Sequence, residues 1–268
     1  MGGGAMRFSP LTHYFIVSYG WRSAFFLLGL LLGAMVALGA LTMRANPEKR
    51  GIVPYGGEPG RAGTANTMAG VGRFNASVGQ AVRTRAFAGL LVANTIAQLP
   101  GYFLLAHIVP YATDKGIAPG AAAGALGVMG AFNVLGRLGL GPWGERAGWT
   151  KAVALSSCAC ALAVLWLIVV RELWMLYLFV GAYGFFWGGR LPPLMGSVAF
   201  FFGTGSLAEL IGIMLASSLI IGAAAPFLAG FVFDQVGSYS PVLVASAALF
   251  FAGGVLFLLL KPPQHPTQ

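Results

Sequence analysis

Asn133 and Arg137 stand four residues apart in AGALGVMGAFNVLGRLGL (123 to 140), a run that otherwise holds only Gly, Ala, Leu, Val, Met and Phe. On a helix that spacing puts an amide and a guanidinium on one face, where they can hydrogen-bond or grip one ligand together. The planar fork of an arginine matches a carboxylate bidentately, so the chemistry on offer is the holding of an organic anion rather than bond breaking. An arginine deep in a bilayer costs about 3 kcal/mol on insertion scales, so buried cases face a cavity or a partner. The competing reading is that Arg137, about five residues from the expected end of its span, snorkels to the headgroups.

The other ionisable or nucleophilic candidates are scattered. Arg190, in GGRLPPL, falls late in its expected span, where it either lines the same cavity or anchors the helix at the headgroups. Pro192 and Pro193 remove two N–H donors and should bend or end that helix. Glu209 and Asp234 mark opposite ends of one span, where a solvated helix-end role competes with proton carriage. His107 is either a packed histidine or a titrating one. Cys158 and Cys160 lie two apart within one span and point to different faces; with no further ligands nearby they read as packing, so no metal or cofactor is expected.

The elements that must position these residues are membrane helices. The chain has 268 residues, of which 57% are hydrophobic and 9% charged, and its mean hydropathy is +0.80. That is too little charge to cover a soluble globule, whose usual fraction is about 25%. Apolar runs of about 20 residues, enough to cross a core of roughly 30 Å, recur along nearly the whole length. Seven spans are expected, at 23 to 43, 87 to 110, 120 to 141, 152 to 170, 173 to 195, 209 to 232 and 241 to 260. LLGLLLGAMVALGALTM (27 to 43) is apolar on every face, which excludes the period-two alternation of barrel strands. Residues 1 to 20 form no convincing span or signal peptide and read as the tail of a helix.

The net charge of +9 is a topology signal, not a nucleic-acid footprint. Arg44, Lys49, Arg50, Arg61, Arg73, Arg83, Arg85, Arg146, Lys151 and Lys261 fall on one side of the expected spans, against Arg22, Lys115 and Arg171 on the other. The positive-inside rule makes the first side cytoplasmic. Residues 44 to 86, rich in Gly, Pro and Arg, read as a cytoplasmic linker between one helix and six. The sequon Asn75-Ala76-Ser77 lies on that side and carries no weight. GLGPWG (139 to 144) fits a phosphate-loop pattern but follows a membrane span and has Pro142 where an N–H is needed, so it is discarded. GLLLG (29 to 33), GAAAG (120 to 124) and GFFWG (184 to 188) each put two glycines on one face, for close helix packing or for sliding.

Taken together, GPWGERAG with Lys151, YGWR (19 to 22) and GFVFDQVGSY (230 to 239) make the chain resemble the C-terminal half of a major facilitator superfamily transporter, within the monocarboxylate porter and oxalate/formate antiporter group. The first stretch, with Gly141, Glu145, Arg146, Gly148 and Lys151, resembles the switch loop between the eighth and ninth helices. The family more often has Asp at the acid position and another cation at Trp149. YGWR resembles the outer turn into the sixth helix. Asp234, Gly237 and Tyr239 belong to a stretch that resembles the turn between the eleventh and twelfth helices.

The resemblance implies an all-α integral membrane protein: residues 1 to 43 ending an N-terminal half, as partial fifth and sixth helices, then the linker 44 to 86, then a six-helix domain from 87 to 268. Most of the N-terminal half is expected to be missing, as in a truncated gene product. It implies further that Arg137 receives the substrate carboxylate, with Asn133 standing where the monocarboxylate porters carry an aspartate. An amide takes no proton at physiological pH, which leaves this pair without a titrating group for proton coupling. The oxalate-type antiporters use a lysine of the eleventh helix, and residues 209 to 232 contain none.

The function so implied is secondary transport of a small organic anion, most simply a monocarboxylate, coupled to a proton or a counter-anion, in the cell membrane with the C-terminus cytoplasmic. The alternatives are a half-module that transports nothing without its N-terminal partner, and an oxalate/formate-type exchanger. A membrane enzyme is not expected, because the histidines at 13, 107 and 265 and the acids form no acid/base or metal set.

Overall fold

The computed structural model describes residues 2 to 42 and 76 to 262, the side chains of the first helix only in part. Most of the expected linker, 43 to 75, lies outside the described residues. The fold has two compact units, the first within residues 1 to 69 and the second from residue 70 onward.

In the first unit, α1 (Gly2–Thr42) is a helical run interrupted at Gly20, whose φ of 76° and ψ of 159° break it in two. The outer turn expected at Tyr19–Arg22 is this kink. The stretch Ser18–Gly39 is long and apolar enough to cross a membrane, and Phe25, Phe26 and Leu30 on it are exposed. The residues before Gly20, expected to make no span, are helical.

The second unit is a helical bundle, with no strand among the described residues. It begins with the short helix α2 (Val78–Val82), part of the segment expected to be linker. Ser77 and Gln80 form a reciprocal capping box: the Gln80 amide N–H donates to Ser77 Oγ at 3.4 Å, and the Ser77 N–H to Gln80 Oε1 at 3.0 Å. The serine of the sequon is therefore a helix cap. Ala76 N–H donates to Phe202 O at 3.0 Å and Ser206 Oγ donates to Ala76 O at 3.0 Å, which fixes this entry to the bundle.

Long helices follow: α3 (Arg85–Asp114), α4 (Pro119–Ala147), α5 (Trp149–Ile168), α6 (Leu173–Gly189), α7 (Leu191–Phe202), α8 (Leu207–Gly222), α9 (Ala224–Val236) and α10 (Ser240–Leu259). Six stretches among the described residues are long and apolar enough to cross a membrane: Ser18–Gly39, α3, α4, α5, the combined Leu207–Val236 and α10. The seventh expected span, 173 to 195, differs. It is a broken pair, α6 and α7, that together run to Phe202. Pro192 and Pro193 have no N–H, so the carbonyls of Gly188 and Gly189 lose their helical partners and the ladder parts at Arg190. Pro226 parts α8 from α9 in the same way, by depriving the Gly222 carbonyl.

The expected loop at 141 to 148 is largely absent. Helix α4 continues through Gly141, Glu145 and Arg146 to Ala147, and α5 starts at Trp149, with Lys151 in its first turn. Only Gly148 lies outside both helices, at φ 106° and ψ 134°, a backbone that a side chain would strain. The connection between α4 and α5 is thus a single residue. At the other end of the bundle, Gly237 ends α9 in the left-handed region, its N–H donating to Phe233 O at 2.7 Å, and Tyr239 leads into α10. This is the turn expected at 230 to 239.

Two apolar clusters fill the bundle. One contains Phe103, Tyr111, Leu167, Phe179, Tyr183, Tyr239 and Phe250; the other contains Phe87, Leu90, Leu194, Phe201, Leu210, Met214 and Phe257. Helices α3, α5 and α10 and the broken pairs α6–α7 and α8–α9 contribute to both, while α4 contributes only to the first; the change-over falls between Ala93 and Ala97 on α3, between Tyr183 and Leu194 across the α6–α7 break, and between Phe250 and Phe257 on α10. Polar side chains occupy that intermediate level.

Candidate functional site

Helices α4 and α6 meet through glycines. A side chain at Gly136 would strike the Phe185 carbonyl, one at Gly184 the Met129 backbone, and one at Gly188 the side chain and Cα of Asn133. The GFFWG pair is therefore a true contact face. In GAAAG a side chain at Gly124 would meet Tyr177 Oη at 3.3 Å, whereas at Gly120, Gly29 and Gly33 it would meet nothing within 4 Å among the described residues.

This packing seats Asn133 against Gly188. Asn133 is the middle residue of the 29-residue α4 and is buried; Arg137, one turn on, is half-buried. Because α4 runs to Ala147, Arg137 lies ten residues from its end, about 15 Å along the axis. That is farther than the headgroup-anchoring alternative assumed. Asn133 Oδ1 and Arg137 Nε are both buried with no partner among the described residues, as are Tyr183 Oη and Trp187 Nε1. A buried polar atom left unpaired costs about 1–3 kcal/mol, so such atoms mark places where a partner is gained.

Arg190 does not lie at the end of its span, as the anchoring alternative required. The α6–α7 pair extends to Phe202, which puts Arg190 at the intermediate level and not at a helix end. It is 3% exposed. Its Nη1 donates to Ala97 O at 3.0 Å and its Nη2 to Asn94 Oδ1 at 3.4 Å. Asn94 Nδ2 in turn donates to Ser218 Oγ at 3.0 Å, Thr95 Oγ1 lies 3.3 Å from the same oxygen, and Ser218 donates to Met214 O at 2.8 Å. A polar chain thus crosses from α8 through α3 to the α6–α7 break, with neutral acceptors facing a buried cation. On α6, Phe179, Tyr183 and Trp187 stack in sequence, with ring centroids 5.3 and 5.9 Å apart, leading toward that break.

Sequence reasoning missed Asn94, Thr95, Ser218, Tyr183 and Trp187. The signal was present: NT in VANTIAQ and SS in LASSLII are polar pairs inside apolar spans, and polar groups in such places face the bundle interior.

The remaining candidates divide between the ends of the bundle. His107 Nε2 lies 3.1 Å from Pro226 O and Nδ1 lies 3.3 Å from Tyr239 Oη. A carbonyl only accepts, so Nε2 donates to it. His107 thus ties α3 to α9 and to the start of α10. Burial, with Asp114 and Asp234 adding to it, pushes the Tyr239 phenol above its ordinary pKa. Cys160 is fully buried and Cys158 half-buried, both unbridged, and no cluster of metal-ligating residues occurs among the described residues.

Comparison with known proteins now bears on this geometry. No protein-family model matches the chain. Monocarboxylate transporter 11 of Homo sapiens is 25% identical over 270 residues, which are 96% of this chain and 53% of the relative. Monocarboxylate transporter 13 of Bos taurus is 27% identical over 271 residues, 97% of this chain and 57% of the relative. Monocarboxylate transporter 12-B of Danio rerio is 23% identical over 286 residues. The chain is similar to the monocarboxylate transporters. It spans about half the length of these curated relatives, while nearly all of it is matched. Monocarboxylate-transporter similarity and six membrane-capable helices agree with the resemblance to a C-terminal half of a major facilitator protein.

Proposed function

We propose that this chain supplies the C-terminal six-helix half of a secondary transporter for small organic anions, monocarboxylates foremost, with Arg137 receiving the carboxylate and Asn133 the polar group beside it. The observation that carries this is the pair of unpartnered buried atoms, Asn133 Oδ1 and Arg137 Nε, one turn apart at the middle of a membrane-capable helix. A bidentate carboxylate satisfies the guanidinium; the amide takes a hydroxyl or water of the same ligand.

Arg190 serves this site without touching the anion. Its Nη1 and Nη2 are engaged inside the bundle, and its charge, held in a low-dielectric interior, draws a negative ligand toward the same level. Gly148, with Glu145, Arg146 and Lys151 around it, is the hinge on the side assigned to the cytoplasm, and the turn of Asp234, Gly237 and Tyr239 lies on the outer side. Proton or counter-anion coupling runs through groups other than Asn133, whose amide does not titrate.

The test is uptake of isotope-labelled monocarboxylates by proteoliposomes holding the intact carrier, with and without a pH gradient. Arg137→Ala abolishes uptake and Arg137→Lys, which loses the fork, leaves a small remainder. Undiminished uptake by Arg137→Ala removes Arg137 from the mechanism. Exchange of a dicarboxylate in preference to a monocarboxylate favours the oxalate-type alternative.

A further inference from the structure

Where α3 begins and α10 ends, the bundle surface holds a cavity of about 360 Å3 lined by Thr84, Arg85, Ala86, Leu259, Leu260 and Lys261. Its two charged members are both cations, they come from different helices, and both are exposed. None of the six is acidic.

The hydroxyl of Thr84 is already committed: it donates to Ala81 O at 2.7 Å and accepts from the Phe87 N–H at 3.1 Å. Gly89 has no side chain, so Leu260 packs directly on α3 at that position. Leu259, also of the lining, is 69% exposed, and Leu258 before it is 55% exposed. The cavity therefore joins two cations at the ends of two apolar spans to exposed leucines beside them.

A free anion uses the cations but gains nothing from Leu258 and Leu259. A phospholipid uses both: its phosphate sits between Arg85 and Lys261, and its acyl chain lies along the leucines. Basic pockets between membrane helices recruit anionic headgroups on these terms, each cation near the surface contributing on its own. Arg83, also exposed and two residues from Arg85, does not line the cavity and so distinguishes this place from general surface charge.

We propose that this cavity is a binding site for the phosphate of an anionic phospholipid, held by Arg85 and Lys261. The site is independent of the transport reading: it needs no anion at Arg137 and survives the failure of that assignment.

The experiment is native mass spectrometry of the full chain, released from mixed micelles of equimolar phosphatidylglycerol and phosphatidylcholine. The wild type retains phosphatidylglycerol in preference. The preference falls about five-fold for each of Arg85→Gln and Lys261→Gln, the change that about 1 kcal/mol per surface cation gives. Arg83→Gln leaves it within a factor of two, and the charge-conserving pair Arg85→Lys with Lys261→Arg keeps it. Both cations are exposed, so the melting temperature of each variant stays at the wild-type value and separates lost lipid from lost fold. Three results overturn the proposal: no preference in the wild type, a preference that Arg85→Gln with Lys261→Gln leaves intact, or one that Arg83→Gln removes equally. A fourth does so by changing the source: inorganic phosphate at millimolar concentration displacing the lipid completely shows a site for the free ion.

Discussion

Replacing Asn94 by leucine should destabilise the bundle more than replacing the buried arginine that Asn94 serves. Leucine keeps the branched shape and number of heavy atoms but removes the acceptor for Arg190 Nη2, 3.4 Å away, and the donor to Ser218 Oγ, 3.0 Å away. Ser218 still donates to Met214 O at 2.8 Å, so its own loss is small. Arg190, 3% exposed, is left with the Ala97 carbonyl at 3.0 Å. A hydrogen bond to a charged group contributes about 1.5–3 kcal/mol, and at 3.4 Å the lower end applies. Side-chain bonds between membrane helices average about 0.6 kcal/mol, which suits the Ser218 contact. The sum is about 2 kcal/mol, or a fall of about 4–8 °C in melting temperature for a domain of this size.

Arg190→Met removes the charge together with its desolvation cost, and exchanges of buried ions for apolar groups of similar volume are often neutral or stabilising. It should melt above Asn94→Leu, and the double variant should recover to within about 1 kcal/mol of Arg190→Met alone, since the two residues share one interaction. Tryptophan-fluorescence melting in a single detergent measures all three. An Asn94→Leu variant that melts within about 1 °C of wild type, or an Arg190→Met variant that melts below Asn94→Leu, refutes the reasoning: Arg190 would then not depend on Asn94 for its place.

Two further outcomes follow from the packing and the turn. Gly188→Ala puts a methyl against Asn133 and the α4 backbone, an overpacking that costs about 1–3 kcal/mol. Gly120→Ala meets nothing within 4 Å and serves as the control, unchanged in the same melting assay. Tyr239, whose phenol is raised by burial and by Asp114 and Asp234, binds its proton more tightly folded than unfolded. Its contribution is therefore complete below the ordinary tyrosine value of about 10 and is lost as pH climbs through the higher folded value. Melting temperature should decline on that alkaline limb, and Tyr239→Phe should flatten the decline while lowering the neutral-pH value slightly, through the lost bond to His107. An equally steep limb in the variant assigns the decline to other groups.

Several features were legible in the residues alone because the bilayer leaves few choices. A chain with 9% charge and apolar runs of helical length must form membrane helices, since only helices satisfy their own backbone there when barrel alternation is missing. The break at Arg190 was likewise readable, because Pro192 and Pro193 lack an N–H, while the turns at Gly20 and Gly237 were expected only from the resemblance. The Asn133–Arg137 face followed from helical spacing. What the chain order could not give was depth and direction. Helix α4 runs on through GPWGERA because Gly and Pro there are tolerated inside a packed helix, so the expected loop shrank to Gly148 and Arg137 moved inward. Arg190 sits at mid-level because α7 continues its helix past two prolines, and it points to Asn94 because α3 presents an amide and a carbonyl at that height. Which helix a side chain meets depends on rotation, on where neighbours end and on glycines such as Gly188 that admit close approach, and these are settled only when the helices pack.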